Sequence, residues 1–433
     1  MLPVIIIAAL TSVLMIASVL FFPRIKVGKI KFETYWVICL LGASSLIIFQ
    51  FIDVQAVLNN LFSSDKINPL KIVTLFISMT ALSIFLDEIG FFEYLASWTL
   101  HKAKSSQMTL FVYLYILTSI LTMFTANDII ILTFTPFICY FAKNAKINPI
   151  PYLVAEFVAA NTWSMMLIIG NPTNIYLGVA SGLDFFEYVK VMFLPTIATG
   201  MVTFGILWLL FHKTLRQPIT RTEVMERPHR YLLIVGLIHL GLCTILLSIS
   251  SYINLEMWGI TLGFAISLII NVLIYKLVKK EKPTLILDTV KRMPWTLVPF
   301  VISMAIIVLT LQTYHVTDGI AAALGNGPLT GFNYGISSFV ADNLINNIPM
   351  SILYSKIVSN APAASQMLAV YSTIIGSNLG AILTPIGALA GIMWMSILKD
   401  QGIKYNYMTF FKYGAIIGIP AIIISILVLT LIL

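Results

Sequence analysis

The sequence predicts an all-α polytopic membrane protein, built as an inverted repeat of two five-span halves. The chain of 433 residues is 59% hydrophobic and only 10% charged, whereas soluble domains carry about 25% charged residues. Apolar runs of about 20 residues, the length that crosses a bilayer, recur from end to end. Polar interruptions containing Gly, Pro and Asn recur at matching places in the two halves of the chain.

Apolar runs place ten membrane spans along the chain, near 2–22, 33–53, 70–90, 150–178, 189–211, 231–251, 257–277, 294–313, 367–398 and 413–432. Two further apolar regions, about 108–143 and 331–358, are predicted to be re-entrant helical hairpins. The expected organisation is therefore an N-terminal repeat over 1–211, a cytoplasmic linker over 212–230 and a C-terminal repeat over 231–433.

Basic residues between the spans predict the orientation, because cytoplasmic loops are enriched in Lys and Arg. Clusters follow spans one, five, seven and nine: Arg24, Lys26, Lys29, Lys31; Lys213, Arg216, Arg221, Arg227, Arg230; Lys276, Lys279, Lys280, Lys282, Lys291, Arg292; Lys399, Lys404. All four loops are cytoplasmic only if the N-terminus is extracellular. We expect a multi-pass protein of the cell membrane, and we interpret the net charge of +8 as a topology signal rather than a nucleic-acid-binding surface.

The region 108–143 has basic residues on both sides, Lys102 and Lys104 before it and Lys143 and Lys146 after it. Both ends should therefore be cytoplasmic, which a single crossing cannot achieve. We predict a hairpin that turns at TAND (125–128), and by symmetry an extracellular hairpin that turns near ADNLINN (341–347). The alternative for each region is a pair of ordinary spans.

The two halves repeat the same features. Spans beginning at 33, 70 and 189 have counterparts at 257, 294 and 413, and Asn127 and Asn161 pair with Asn346 and Asn378. An odd number of spans per half turns the second half upside down. Inverted repeats whose broken helices meet near the middle of the membrane are typical of secondary transporters.

Four polar interruptions are expected to converge: the hairpin turns at 125–136 and 341–351 and the helix breaks GNPTN (170–174) and SNLGAILTPIG (377–387). Irregular backbone at membrane depth needs protein or a watery cavity around it. Helix N-termini there suit an anion, and unwound carbonyls suit a cation. The predicted substrate-binding residues are Asn127, Gly170, Asn171, Thr173, Asn174, Asn346, Asn347, Ser377, Asn378, Thr384 and Gly387. Taken singly, each is equally consistent with a structural hydrogen bond between helices.

Carboxylates at membrane depth are costly and usually functional. Asp128 in the first hairpin turn is therefore predicted to bind the coupling cation or proton, with Asp342 in the opposite hairpin and Asn161 as further candidates. Asp87–Glu88 are interpreted as interfacial. Glu156, two turns into span four, is interpreted as reaching the cytoplasmic interface.

Other chemistry has weak support in the sequence. Cys39, Cys139 and Cys243 lie in three separate apolar segments and are interpreted as core residues rather than a three-thiolate metalloid site. We expect no metal and no cofactor beyond a coupling ion, H⁺ or Na⁺. The sequence contains no HExxH motif and no Walker A motif, so a transporter is favoured over an intramembrane enzyme, and ATP would require a separate subunit.

The chain resembles the ArsB arsenite and antimonite permeases, within the wider ion-transporter superfamily that includes the divalent anion/sodium symporters. The matching stretches are LDEIGFFEY (86–94), FTANDIIILTFTP (124–136), MPWTLVPFVISM (293–304), LINNIPM (344–350) and SNLGAILTPIGALAGIMW (377–394). The resemblance implies a scaffold domain, a transport domain with elevator-type alternating access and, in many members, a homodimer. A true arsenite pump would also have an ATPase subunit as partner.

The chain departs from the ArsB pattern within these stretches. ArsB proteins have aspartates at the positions of Asn161 and Asn378, a lysine within the stretch aligned with GAILTPIG, and serines at the positions of Asp342 and Asn343. We expect a secondary transporter of a small oxyanion or metalloid hydroxide, such as arsenite or antimonite, coupled to H⁺ or Na⁺. An organic-anion carrier and a Na⁺/H⁺ antiporter on the same scaffold remain alternatives.

Overall fold

The computed structural model is almost entirely helical and describes residues 1–22, 24–27, 30–63, 68–102, 106–217, 219, 228–250, 252–325 and 327–433. The first half contains α1 (Leu2–Phe21), α2 (Thr34–Ile48), α3 (Val54–Leu61), α4 (Pro69–Glu88), α5 (Phe91–Lys102), α6 (Gln107–Phe124), α7 (Asn127–Ala145), α8 (Ile150–Trp163), α9 (Pro172–Ala180) and α10 (Phe185–Phe211).

The second half repeats this order of elements. It contains α11 (Arg230–Ile249), α12 (Met257–Val278), α13 (Thr284–Arg292), α14 (Leu297–Thr313), α15 (Val316–Leu324), α16 (Thr330–Ile345), α17 (Asn347–Ser359), α18 (Ala363–Leu383), α19 (Leu389–Asp400) and α20 (Tyr407–Ile432). Within the described ranges, each half thus has ten α-helices in the same order of long, short, paired and broken elements.

Nine helical segments within the described ranges are long and apolar enough to cross a membrane. Large apolar side chains are exposed on their outer faces, among them Met201 and Leu209 of α10, which are 70% and 63% exposed. Lipid accepts such surface without cost, whereas water does not. The prediction of an all-α polytopic membrane protein is therefore confirmed.

Polar residues at the helix ends explain where several spans begin. Asn68 precedes Pro69, the first residue of α4, and its side chain accepts hydrogen bonds from the backbone N–H of Leu70 at 2.8 Å and of Lys71 at 3.3 Å. Asn406 caps α20 by accepting from the Thr409 N–H at 2.8 Å. Such caps satisfy N–H groups that the first helical turn leaves without partners.

Two kinds of short element are present that the sequence did not predict. The helices α3, α5, α13 and α15 lie between spans and were not predicted. Strands β1 (Arg24–Val27) and β2 (Ile30–Glu33) form an antiparallel hairpin between α1 and α2, in a region predicted to be a loop. Its register pairs Arg24 with Glu33 and Val27 with Ile30.

Contacts between the halves show that the repeat is inverted. Arg292, at the end of α13 and just before α14, pairs with Asp87 and Glu88 at the end of α4, with N–O distances of 2.5 and 2.6 Å. The end of α4 therefore lies beside the beginning of its counterpart α14. Helix α2 packs on α14 as α12 packs on α4, and α9 packs on α17 as α19 packs on α7. If every helix is exchanged with its counterpart in the other half, each of these contacts becomes the other contact of its pair. A pseudo-two-fold relationship between the halves requires this pattern.

The first hairpin, α6 and α7, has both of its outer ends beside the beginning of α8. Tyr152 in α8 donates to the Gln107 side chain at 3.1 Å and contacts the Phe141 ring. The hairpin turn instead reaches Asn161, near the end of α8. Both outer ends of the hairpin therefore lie on one side of α8 and its turn at the other, as predicted.

The second hairpin, α16 and α17, is arranged in the same way on α18. Gln366 near the beginning of α18 donates to the Val358 carbonyl at 3.4 Å, and Asn343 near the turn donates to the Gly380 carbonyl at 3.0 Å. The bounds of both hairpins agree with the predicted regions to within two residues.

The predicted division of the chain at 211 and 231 stays a prediction. Residues 218 and 220–227 of the expected linker lie outside the described residues, together with four of the basic residues used for orientation, Lys29, Lys104, Arg221 and Arg227.

Candidate functional site

The break between α8 and α9 consists of two 3-10 turns, Ser164–Met166 and Ile168–Gly170. A Cβ added to Gly170 would come within 2.3 Å of the Ser164 carbonyl oxygen, so only glycine allows the chain to fold back this closely. Asn171 then caps α9 by accepting from the Thr173 N–H at 3.1 Å, with Pro172 as the first helical residue. The GNPTN stretch is therefore the end of a break and the beginning of a helix.

The break between α18 and α19 lies later than predicted, at Thr384–Ala388. Ser377 and Asn378, expected within the break, instead lie in the helical part of α18, because that segment has no proline before Pro385. Gly387 packs against Ala381 as Gly170 packs against Ser164: an added Cβ would come within 2.9 Å of the Ala381 Cα.

Both hairpin turns are shorter than predicted. The first consists of Thr125 and Ala126, so Asp128 lies in the first turn of α7. The second is the single residue Asn346, with a φ of 73°, which Asn adopts more readily than most residues. Asp342 therefore lies in the last turn of α16 and not in the turn itself.

Asn378 joins the two halves of the molecule at the centre of the site. Its side-chain oxygen accepts hydrogen bonds from the Ser164 hydroxyl and from the Asn171 amide, both at 2.9 Å. Its amide nitrogen donates to the Asn174 side-chain oxygen at 2.6 Å and to the Ile374 carbonyl at 2.8 Å. Asn174 in turn donates to the Ser164 carbonyl at 2.9 Å. The amide of α18 is thus bound to both sides of the break in α8 and α9.

Two further amide contacts connect the hairpin turns to the broken helices. Asn127 donates to the Asn161 side-chain oxygen at 3.1 Å, and its own side-chain oxygen has no partner within the described part of the chain. Asn346 donates to the Ile386 carbonyl at 2.9 Å. Thr384 donates to the Asn343 side-chain oxygen at 2.6 Å. The turn of the second hairpin is therefore hydrogen-bonded to the break in its own half, and the first hairpin is hydrogen-bonded to Asn161, just before the break in its half.

The remaining predicted residues lie close to these contacts. Thr173, Asn347 and Ser377 are buried, and the Thr173 and Ser377 hydroxyls lack a hydrogen-bond partner among the described residues. Ser164 and Asn343 belong to the site but were not predicted as binding residues. Ser164 stands in an apolar stretch without Gly or Pro, so no sequence signal marks it; Asn343 lies within the predicted hairpin turn, where its amide was a detectable signal.

The carboxylates of the two hairpins and α8 occupy different surroundings. Asp342 is fully buried against Gly380, and both of its oxygens lack a partner among the described residues. Asp128 is half-buried and lines a cavity. Glu156, predicted to reach the cytoplasmic interface, is only 1% exposed and accepts hydrogen bonds from Thr135. That prediction was wrong, because α7 and α19 cover this face of α8.

A cavity of about 1440 Å³ leads into the molecule from the side predicted to be cytoplasmic. Lys291, Arg292, Lys399 and Lys404 are among the residues at its mouth. Its inner wall includes Ala126 and Asp128 of the first hairpin, Pro172 at the start of α9 and Leu389 at the start of α19. Asp128 is the one predicted site residue on its wall; the amide cluster around Asn378 lies behind it.

Several proteins of similar sequence are named arsenical pump membrane proteins. The chain is 25% identical to the arsenical pump membrane protein of Escherichia coli over 366 residues, which cover 82% of this chain and 85% of that protein. It is 24% identical to the putative arsenical pump membrane protein of Bacillus subtilis strain 168, covering 78% and 81%. These similarities confirm the resemblance to the ArsB permeases.

Solved structures provide an independent comparison of the fold. The YdaH transporter of Alcanivorax borkumensis superimposes with a TM-score of 0.54 and 13% identity, covering all of this chain and 96% of that one.

The family model described as citrate transporter, CitMHS, matches residues 1–375. The chain therefore belongs to the CitMHS family of membrane transporters.

Proposed function

We propose that this transporter moves a small metalloid hydroxide or oxyanion of the arsenite and antimonite class, coupled to H⁺ or Na⁺. One observation carries the proposal: the centre where the two halves meet is built from amides and hydroxyls. Asn378 contacts Ser164, Asn171 and Asn174 there, and these four residues carry no charge. Such groups both donate and accept hydrogen bonds, which suits a compact substrate that carries hydroxyl groups.

The proposed mechanism is elevator-type alternating access. The two hairpins and the broken helices α8–α9 and α18–α19 would move as a transport domain against a scaffold that includes α2, α4, α12 and α14. The cavity beside Ala126 and Pro172 supports this idea, since it would give the first hairpin access to water on one side only. The pseudo-two-fold relationship of the halves would supply the opposite state by exchanging their roles.

Asp128, Asp342 and Asn161 are the proposed coupling residues. Asp128 faces the cavity without a hydrogen bond or ion pair in the described residues, so a cation or proton from the cavity could reach it directly. Asp342 lies in the opposite half, where both of its oxygens lack partners within the same described ranges. An unpaired carboxylate is expensive at this depth and is therefore a functional candidate.

A carrier of organic carboxylates is the second candidate. The basic side chains Lys399 and Lys404 on the cavity wall favour it, because they would attract a multivalent anion. The description of the family as citrate transporters points the same way. Against it, the described partners of Asn378 at the centre of the site include no Lys or Arg that could hold a carboxylate in place.

The test is a flux assay on the purified chain in proteoliposomes. Arsenite, antimonite and citrate are offered in turn, with H⁺ and Na⁺ gradients imposed separately. Uptake of arsenite or antimonite driven by one gradient supports the first proposal, and gradient-driven uptake of citrate alone favours the second. Absence of uptake for all three substrates contradicts both.

Localisation and assembly follow from the same proposal. We place the chain in the cell membrane with its N-terminus outside, as a homodimer, with an ATPase subunit as partner if arsenite extrusion requires ATP. Labelling of a tag before Met1 on intact cells tests the orientation, because a cytoplasmic tag stays unlabelled.

A further inference from the structure

Glu156 lies where three helices meet behind the cavity wall. Its Oε1 and Oε2 lie 3.0 and 3.2 Å from the Thr135 hydroxyl of α7. Trp394 of α19 faces the same carboxyl with its indole N–H, at a geometry that falls short of a hydrogen bond. The carboxyl therefore links a hairpin arm, a broken helix of the first half and a broken helix of the second half.

Glu156 has no cation to balance a negative charge. None of the ion pairs among the described residues includes it. On the helices packed around it in that part of the chain, the titratable group that faces it is the Cys139 thiol of α7. A carboxylate buried at membrane depth without a cation is strongly disfavoured, whereas the protonated acid is not.

The hydrogen bonds around Glu156 suit a carboxyl that changes its protonation state. Thr135 has one hydroxyl proton, and its oxygen also lies 2.5 Å from the Ile131 carbonyl. If Glu156 is protonated, it donates to Thr135 while Thr135 donates to Ile131, and both contacts are satisfied. If Glu156 is ionised, Thr135 and the Trp394 N–H can both donate to it. The surroundings thus provide a set of partners for each form.

Residues next to the contacts of Glu156 line the cavity. Leu132, one turn before Thr135 on α7, lines the cavity, and so do Met393 and Met395 on either side of Trp394. Tyr405, also on the cavity wall, makes an edge-to-face contact with Trp394, with ring centroids 5.1 Å apart. A small separation of α7 or α19 from α8 would open Glu156 to cavity water.

We propose that Glu156 is a proton-binding site of the transport cycle, separate from Asp128, that is neutral in this conformation and exchanges its proton with the cavity. In the exchange the O–H bond of Glu156 breaks, the proton passes to a cavity water, and the carboxylate accepts hydrogen bonds from Thr135 and Trp394. The proposal rests on the proposed coupled transport and assigns H⁺ as a coupling ion.

The first test is infrared spectroscopy of the full chain in lipid at neutral pH, in which the spectrum of each variant is subtracted from that of the wild type. We expect a carbonyl band of a protonated carboxylic acid that disappears in Glu156→Gln and persists in the matched control Glu187→Gln, an exposed glutamate at the start of α10. Thr135→Val should shift this band by removing the acceptor of the acid proton, and Thr135→Ser should restore it. Identical band sets in wild type and Glu156→Gln overturn the proposal.

The second test is arsenite accumulation in proteoliposomes under an imposed pH gradient. Glu156→Gln should lower pH-driven accumulation by about tenfold or more, while Glu187→Gln should match the wild type. Equal pH-driven accumulation in wild type and Glu156→Gln overturns the role of Glu156. If the wild type carries no arsenite, the proposed substrate is wrong, and the infrared band still decides whether Glu156 holds a proton.

Discussion

The Thr133 hydroxyl of the first hairpin donates to the Asp87 carboxylate at the end of α4, at an Oγ1–Oδ1 distance of 2.5 Å. The other oxygen of Asp87 accepts from Arg292 at 2.5 Å. Asp87 therefore connects a helix assigned to the proposed scaffold, the short helix before α14, and the hairpin of the proposed transport domain. The polar stretch LDEIGFFEY thus begins at a junction between the two proposed domains, beyond the interfacial role predicted for Asp87.

Removing the arginine from this junction should weaken it modestly. Arg292→Gln leaves Asp87 and Glu88 without their cation, and we expect a cost on the order of 1 kcal/mol, since the guanidinium is partly exposed. Lys291→Gln is the matched control. Lys291 is 74% exposed, and its ion pair with Asp288 is long, with an N–O distance of 3.8 Å. Thermal unfolding in detergent should separate the two variants; equal melting temperatures would exclude a stabilising role for the junction.

The Asn378 amide is predicted to hold the two halves together at the site. Asn378→Ala leaves the Asn171 amide and the Asn174 oxygen each short of a partner, at about 1–3 kcal/mol per unsatisfied group, and removes one of the two acceptors of the Ser164 hydroxyl. We expect a lower unfolding temperature and loss of substrate flux. The exposed Asn59 provides the control Asn59→Ala. Wild-type stability together with wild-type flux in Asn378→Ala would remove Asn378 from the site.

Much of the fold could be predicted because a bilayer imposes simple rules on sequence. Span length, loop charge and polar interruptions each reflect a constraint that the membrane imposes. The number of spans, the basic residues between them and the spacing of the interruptions therefore predicted the inverted repeat and both hairpins. The β1–β2 hairpin and the four short helices could not, because they lie at or outside the hydrocarbon region, where that constraint ends.

The site could be predicted only in part, for a different reason. Gly170 and Asn171 indicate a helix break in the sequence. The close approach of the chain at Gly170 requires glycine, and the cap of α9 requires a side chain such as that of Asn171. Ser164 carries no such requirement, and its role depends on Asn378, which lies 214 residues away in the chain. The burial of Glu156 could not be predicted for the same reason. Glu156 is covered by α7 and α19, and the sequence does not show that these two helices pack on α8.

Gly170 should tolerate no side chain. Its added Cβ would lie 2.3 Å from the Ser164 carbonyl, so Gly170→Ala must push the break away from α8, at an expected cost of about 1–3 kcal/mol. Gly205 in α10 meets open space, and Gly205→Ala should instead stabilise its helix by up to about 1 kcal/mol. Melting temperatures that move in opposite directions support the close approach. A neutral Gly170→Ala would contradict it.

The first hairpin turn should be reachable through the cavity. In a chain whose three cysteines are replaced by alanine, Ala126→Cys should react with a membrane-impermeant maleimide from the side of Lys399 and Lys404. Met201→Cys, on the outer face of α10, should stay unlabelled, because lipid covers it. Equal labelling of Ala126→Cys from both sides, or from neither, would contradict a one-sided cavity.

Asp128→Asn should separate coupling from folding. The side chain makes no hydrogen bond or ion pair among the described residues, so the substitution should cost less than about 1 kcal/mol, through loss of a negative charge at the start of α7. Gradient-driven flux should nevertheless be abolished, because the carboxylate that faces the cavity is gone. Asp400→Asn, at the exposed end of α19, is the control. Flux of Asp128→Asn at the level of that control would assign coupling to another residue, with Asp342→Asn and Glu156→Gln as the next variants to measure.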